Sequence, residues 1–268
     1  MKKSARIYNS VVLISLTLLS LAFLAEPSEA QVMETGFLNR SVSIAGEPSL
    51  YQVYLPPNYS PNEEWPIILF LHGAGERGTD GLAQTDVGIG TAIRKNVSKW
   101  PAIVVLPQVP KQQTWQGRPG EYAMSALDAA INEFSVDESR IYLTGLSMGG
   151  NGTWFLGSSF PNRFAAIVPI CGYVKGYPPA YPGIATEGEN SDPYVSAANS
   201  VSGLPVWIFH GDADGVVSVE ESRNMNDALK AVGADVHYTE LPGIGHNAWD
   251  AAYSNDEMIE WLFSQKKQ

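Results

Sequence analysis

Gly145-Leu146-Ser147-Met148-Gly149 has the G-x-S-x-G spacing of a nucleophile turn. The chemistry such a turn serves is acyl transfer, in which the serine hydroxyl attacks a carbonyl carbon. Small flanking residues are required because side chains would clash across so sharp a bend. The apolar run Ile141-Tyr142-Leu143-Thr144 leads into it, and Gly149-Gly150-Asn151-Gly152 opens a helix after it. The plain alternative is a small-residue strand–helix turn with a solvated serine. The strand before it and the helix after it favour a nucleophile.

A serine hydroxyl is a weak nucleophile near neutrality, so it needs a base, and the base needs an orienting carboxylate. The chain has four histidines. His72 and His210 each close a strand just before a glycine, too early for the expected order of acid and base. His237 lies inside an alternating strand, where a structural or surface role fits. His246, in Gly243-Ile244-Gly245-His246-Asn247 between the last strand and the last helix, is the expected base. The acid is expected between serine and histidine. His210-Gly211-Asp212-Ala213-Asp214 offers two carboxylates. Asp214, further round the turn, is the expected acid, and Asp212 reads as a turn former bonding its own backbone.

Acyl transfer also needs donors for the developing oxyanion. The Met148 amide, just after the nucleophile, is one. The Ala74 amide, in His72-Gly73-Ala74-Gly75-Glu76-Arg77-Gly78, is expected to be the other, with Gly73 and Gly75 letting the backbone approach a substrate. That loop lacks the lysine and spacing of a phosphate cradle. Trp115 is a candidate for the pocket wall or for plain loop packing. Tyr173, with Tyr177 and Tyr181, is a candidate aromatic rim or an anchor for a proline-rich loop. No metal-ligand spacing is present, and the chemistry calls for no cofactor.

These groups need a frame. Apolar runs at 67–71, 102–106, 141–144, 165–170 and 206–209, with an alternating run at 236–241, end at glycine, proline or histidine. Helical spacing covers 121–134, 220–232 and 252–263. Short runs that are apolar throughout suit a parallel sheet covered on both faces. The expected fold class is therefore α/β, a mostly parallel central sheet with helices on both faces and no large lid domain. Ligands would lie beyond the carboxyl ends of the strands. A hairpin is expected at the start, 41–45 pairing with 50–55 across Gly46-Glu47-Pro48. Trp249 and Tyr253, one turn apart, are assigned to the core.

The chain has 268 residues, one cysteine and a net charge of −11. Its charge has the wrong sign for a nucleic-acid binder, and one cysteine excludes an internal disulfide framework. Residues 1–30 read as a signal peptide: Lys2, Lys3 and Arg6, an apolar run from Val11 to Ala25, then Ser28-Glu29-Ala30. Fifteen apolar residues are short for a membrane span. Cleavage near Ala30-Gln31 would leave 31–268 as a single exported domain, secreted or periplasmic, with no stable membrane insertion. Asn39, Asn58, Asn96 and Asn151 stand in N-x-S/T sequons, of consequence only in a glycosylating host.

With Leu71–Gly78, Gly145–Gly150, His210–Asp214 with Val217, and Gly245-His246-Asn247-Ala248-Trp249 in view, the chain resembles α/β-hydrolases of the secreted carboxylesterase or "predicted peptidase" type. These are kin to dienelactone hydrolases, phospholipase/carboxylesterases and polyhydroxybutyrate depolymerase or feruloyl esterase-like proteins. The resemblance runs from Tyr51-Gln52-Val53-Tyr54-Leu55-Pro56 to the last helix. It implies Ser147, Asp214 and His246 as a catalytic triad, and the Ala74 and Met148 amides as an oxyanion hole. It implies an ester substrate, small or polymer-linked, without naming it. Rival expectations are a peptidase with the same triad and a binding module that keeps the fold without turnover.

Overall fold

The short apolar runs become strands because both of their faces are covered. The computed structural model describes residues 34–267 apart from 45, 178–179 and 185–190. The expected signal segment and its cleavage site lie outside the described residues. Trp65–Leu71 (β3), Ile103–Pro107 (β4) and Ala166–Ile170 (β6) are buried at every position. Period-two alternation sends their side chains to two separate cores. Ile67, Leu69 and Leu71 join one, whereas Ile68 and Phe70 join the other.

The main sheet has eight strands in the order β1-β2-β4-β3-β5-β6-β9-β10. The first two are Gly36–Ile44 (β1) and Glu47–Leu55 (β2), and the centre adds Val136–Leu146 (β5). Val206–Gly211 (β9) and Val236–Leu241 (β10) complete it. β1 and β2 pair antiparallel, as do β2 and β4, while every pair from β4 to β10 is parallel. This is the α/β-hydrolase arrangement expected from the sequence. Gly176–Tyr177 (β7) and Tyr181–Pro182 (β8) form a separate small hairpin.

Arg118–Glu133 (α2), Met148–Ser159 (α3), Pro193–Val201 (α4) and Glu220–Ala231 (α5) bury residues in the first core. Ile89–Lys95 (α1), Ala248–Ala252 (α6) and Asp256–Ser264 (α7) bury theirs in the second. Two expectations change. The first hairpin is longer, and Ile44 pairs with Glu47, so its turn precedes Glu47 instead of spanning 46–48. The single last helix is two, because Asn255 caps a fresh start, its Oδ1 accepting from the Met258 amide at 2.8 Å. Asn151 is fully buried and donates to the Tyr173 carbonyl, so the folded chain offers no glycosylation site there.

The sheet and α3 touch backbone to backbone at the serine turn. A Cβ on Gly149 would lie 1.8 Å from the Leu71 carbonyl oxygen, and one on Gly145 would lie 2.4 Å from the Gly149 oxygen. Gly149→Ala is therefore expected to cost about 3 kcal/mol, as overpacking against rigid backbone does. The melting temperature should fall by roughly 6–12 °C for a body of this size. A calorimetric midpoint within about 2 °C of the parent would show that α3 can move off the sheet.

Candidate active site

Ser147 sits between the end of β5 and the first turn of α3. Its backbone is forced to φ 54, a left-handed conformation that costs a non-glycine residue about 1–3 kcal/mol. The surrounding bonds hold it there: the Ser147 amide donates to the Ile170 carbonyl, and the Ser147 carbonyl accepts from the Asn151 amide. His246 Nε2 lies 2.9 Å from Ser147 Oγ, and His246 Nδ1 lies 2.7 Å from Asp214 Oδ2. Three residues far apart in the chain thus form one line of hydrogen bonds at the carboxyl ends of the strands.

The Asp214 side chain has no exposed surface. Burial alone pushes a carboxyl's pKa up. The His246 bond and the Val216 and Val217 amides outweigh that and hold it below the usual carboxylate range. Those amides reach Oδ1 at 2.8 and 2.9 Å. Asp212 behaves differently from expectation. Its Oδ1 accepts from the Gly243 amide at 2.6 Å, so it ties down the His246 loop instead of only closing its own turn. The Cys171 thiol does related work, donating to the His246 carbonyl at 3.3 Å. Cys171 too has a left-handed backbone (φ 38), and burial pushes its thiol pKa up. Nothing in its sequence setting signals this contact.

The loop after β3 lies across the site. His72, at its root, is fully buried, with Nδ1 on the Gly73 carbonyl at 2.6 Å and Nε2 accepting from the Val109 amide at 3.0 Å. Burial lowers its pKa to about 4. Arg77 Nε donates to the Ala74 carbonyl at 2.9 Å, which holds the outward bulge. Among the described residues neither the Ala74 nor the Met148 amide is spent on a protein acceptor. Gly73 is crowded, since a Cβ there would lie 2.9 Å from Leu146 Cδ1. Gly75 is not: a Cβ would meet nothing within 4 Å, so the fold itself does not demand a glycine there.

Over Ser147 lies a cavity of about 540 Å³, lined by Gly73, Ala74, Gly75, Met148, Tyr173 and His246 among others. Its lining is also aromatic, with Tyr173, Tyr177, Tyr181 and Trp249. The Tyr173 ring meets Tyr177 and Tyr181 edge-on at 5.6 and 6.3 Å. Arg77 lies over the Tyr181 ring and donates to its hydroxyl, and the Ser218 amide donates to the Tyr177 hydroxyl. The β7–β8 hairpin is thereby pinned to both rims of the cavity. Trp115 takes loop packing, the second of its two expected places, and Trp249 packs against the core as expected but also faces the cavity. Trp115 is fully buried away from the cavity, where its indole donates to the His72 carbonyl at 2.9 Å. Trp249, expected in the core, lines the cavity with its ring edge-on to His246 at 5.4 Å.

The family model described as "Putative esterase" matches residues 41–256. The chain belongs to this esterase family of the α/β-hydrolase superfamily. A solved thermostable esterase is 33% identical, with a TM-score of 0.74 over 86% of this chain and 63% of that one. The bifunctional acetylxylan esterase/xylanase XynS20E of Neocallimastix patriciarum is 26% identical over 63% of this chain and 22% of its own. An "Uncharacterized secreted protein" of Arthroderma benhamiae is 26% identical over 73% of this chain and 23% of its own. The chain thus spans about a quarter of the length of these two curated relatives. No helix among the described residues is long and apolar enough to cross a membrane.

Two outcomes are expected from this geometry. Asp214→Asn should slow phosphonylation of Ser147 by an active-site phosphonate about 10³-fold or more, whereas Asp212→Asn should cost less than about tenfold. The opposite ranking, read by labelling rate, would exchange their roles. Stability should also fall with acid. The folded pKa of His72 is depressed, so its contribution is complete above the unfolded value near 6.5. It is lost as pH falls through 6.5 towards about 4. Urea titrations at pH 7 and pH 4.5 should differ by about 2 kcal/mol from this group, with His210 acting in the same direction. His72→Gln should flatten the fall, and an equal fall in that variant would place its origin elsewhere.

Proposed function

We propose that the protein is an exported serine hydrolase that cleaves carboxylic esters through an acyl-enzyme. Residues 1–30 act as the export signal and 31–268 as one catalytic domain. The observation that carries the reading is the unbroken hydrogen-bond line from Ser147 Oγ through His246 to Asp214. Ser147 Oγ bonds to the ester carbonyl carbon as its proton passes to His246 Nε2. The carbonyl oxygen becomes an oxyanion, met by the Ala74 and Met148 amides. Loss of one such donor costs about 10²–10³ in rate. As the intermediate collapses, the bond to the alcohol oxygen breaks and His246 returns the proton to the leaving alcohol. Water then attacks the acyl-serine by the same route, with His246 as base, and releases the acid. Asp214 holds the tautomer of His246 and stabilises its imidazolium form.

Family membership and the esterase relatives support the ester as substrate. The secreted label of one relative supports export. Gly73, Gly75 and Tyr173 contact the substrate, while Trp115 backs the loop that does so. The alcohol and acyl groups share a cavity with aromatic walls, which suits esters carrying planar or apolar groups.

Ser147→Ala is expected to abolish turnover and phosphonate labelling while moving the melting temperature by less than about 3 °C. The assay is a panel of acetyl, longer acyl, aromatic acyl and sugar esters, with a peptide amide as the control. Ester turnover that survives the change would sink the nucleophile assignment. Amide cleavage without ester cleavage would make the protein a peptidase.

A further inference from the structure

The buried acid is met by a second histidine. His210 stands on β9, four residues before Asp214, and has no exposed surface. Its Nε2 lies 3.2 Å from Asp214 Oδ2, the oxygen that His246 Nδ1 reaches at 2.7 Å. The same Nε2 lies 3.1 Å from the Val217 carbonyl oxygen. Carboxylate and carbonyl oxygens only accept, so the nitrogen between them carries a proton. On the other side of the ring, Nδ1 accepts from Ser222 Oγ at 2.7 Å, a hydroxyl supplied by α5. Burial pulls the His210 pKa below its usual value, against the opposing pull of the Val217 carbonyl and Asp214. The ring is therefore a neutral Nε2–H tautomer, set from both ends.

This contact adds a fourth group around the carboxylate. Oδ1 takes the Val216 and Val217 amides and Oδ2 takes His246, while the His210 Nε2–H, hydrogen-bonded to the Val217 carbonyl, also lies 3.2 Å from Oδ2. We infer that His210 is a positioning residue for Asp214: its Nε2–H shares Oδ2 with His246, stops the carboxylate from turning, and limits the negative charge that the His246 ring feels. The inference rests on the triad reading proposed above. A donor shared on one carboxylate oxygen lowers that oxygen's basicity, so the imidazolium form of His246 is stabilised less than by an unshared carboxylate.

The other groups near this pair are accounted for. Tyr177, from the β7–β8 hairpin, has its hydroxyl bonded by the Ser218 amide. Cys171 faces the His246 loop as a neutral thiol, its pKa pushed up by burial. Glu240 stands opposite His210 in the β9–β10 register, but Arg223 binds it at 2.6 Å and Tyr238 donates to it, so it stays ionised. Glu221, next to Ser222, spends one oxygen on the Val174 and Lys175 amides. His210 itself is absent from the cavity lining, so its effect has to pass through Asp214.

The test compares His210→Phe, His210→Gln and Asp214→Asn in the full chain on a p-nitrophenyl ester between pH 5 and 9. His210→Phe keeps a flat ring without the donor. It is expected to lower kcat about tenfold with KM within about twofold, and to move the acid limb of the rate profile up by about half a pH unit. His210→Gln restores an N–H and should recover most of kcat with the limb back near its parent position. A wild-type kcat and an unmoved limb in His210→Phe would overturn the inference. So would equal losses in both variants with an unmoved limb, which mark a packing role alone. Asp214→Asn separates the two readings: if it turns over freely, the triad reading has failed. If it is crippled while His210→Phe is not, only the role of His210 falls. Nitrogen-15 NMR of the histidine-labelled parent decides the matter even where His210→Phe does not fold. Protonated Nε2 with an accepting Nδ1 is expected, and an Nδ1–H ring overturns the inference.

Discussion

A carboxylate with no exposed surface has to be surrounded by donors, and Asp214 dictates much of the architecture at this end of the sheet. Its donors come from its own turn, from the end of β9 and from the His246 loop, and none of these segments can be placed independently of the others. The loop and the turn are also joined through the backbone: the Ala213 amide donates to the Ile244 carbonyl and Asp212 accepts from Gly243. Gly211 lets them meet, since a Cβ there would lie 2.1 Å from the Ile244 oxygen. The His246 ring is thereby aimed at Ser147 Oγ by the fold itself, as a preorganised polar site requires.

The serine side is built by contact instead of charge. α3 comes so close to the sheet that Gly149 touches the Leu71 carbonyl and Gly150 touches Gly172. That approach bends the chain at Ser147 into a left-handed conformation, and Cys171, one residue beyond β6, is bent the same way. The Ser147 amide bonds Ile170 and the Cys171 thiol bonds the His246 carbonyl, so the two strained residues both contact His246. Small side chains are needed at both bends, and cysteine meets that need while adding a donor.

Legibility in the sequence follows the same division. Strands such as Ile67–Leu71 were readable because both faces are buried, which leaves an unbroken apolar run. The order of Ser147, Asp214 and His246 was readable because the fold imposes it on the chain. Trp115 and Trp249 were not, since an indole reads alike whether it backs a loop or faces a cavity, and only tertiary packing decides. The break between α6 and α7 was hidden by an apolar spacing that continues through Asn255, although asparagine is itself a cap signal. His210 was set aside for its place in the chain order. The usable signal was its spacing of four from Asp214 around one turn, which puts both side chains on the same side of the strand end.

The site is buried at its carboxylate end and partly exposed at His246, and the proposed chemistry calls for both. Asp214 has no exposed side-chain surface, while the His246 ring keeps 21% of its own. Where water is excluded, the attraction between the carboxylate and a developing imidazolium is several-fold stronger than in solvent. At the serine end the proposed reaction calls for water, since an acyl-serine would be released by a water that reaches His246 Nε2. Tyr173, Tyr177, Tyr181 and Trp249 give the cavity above Ser147 an aromatic lining. Arg77 and Ser218 tie down, through the tyrosine hydroxyls, the two of those rings that the hairpin carries, so that part of the cavity lining is fixed by hydrogen bonds.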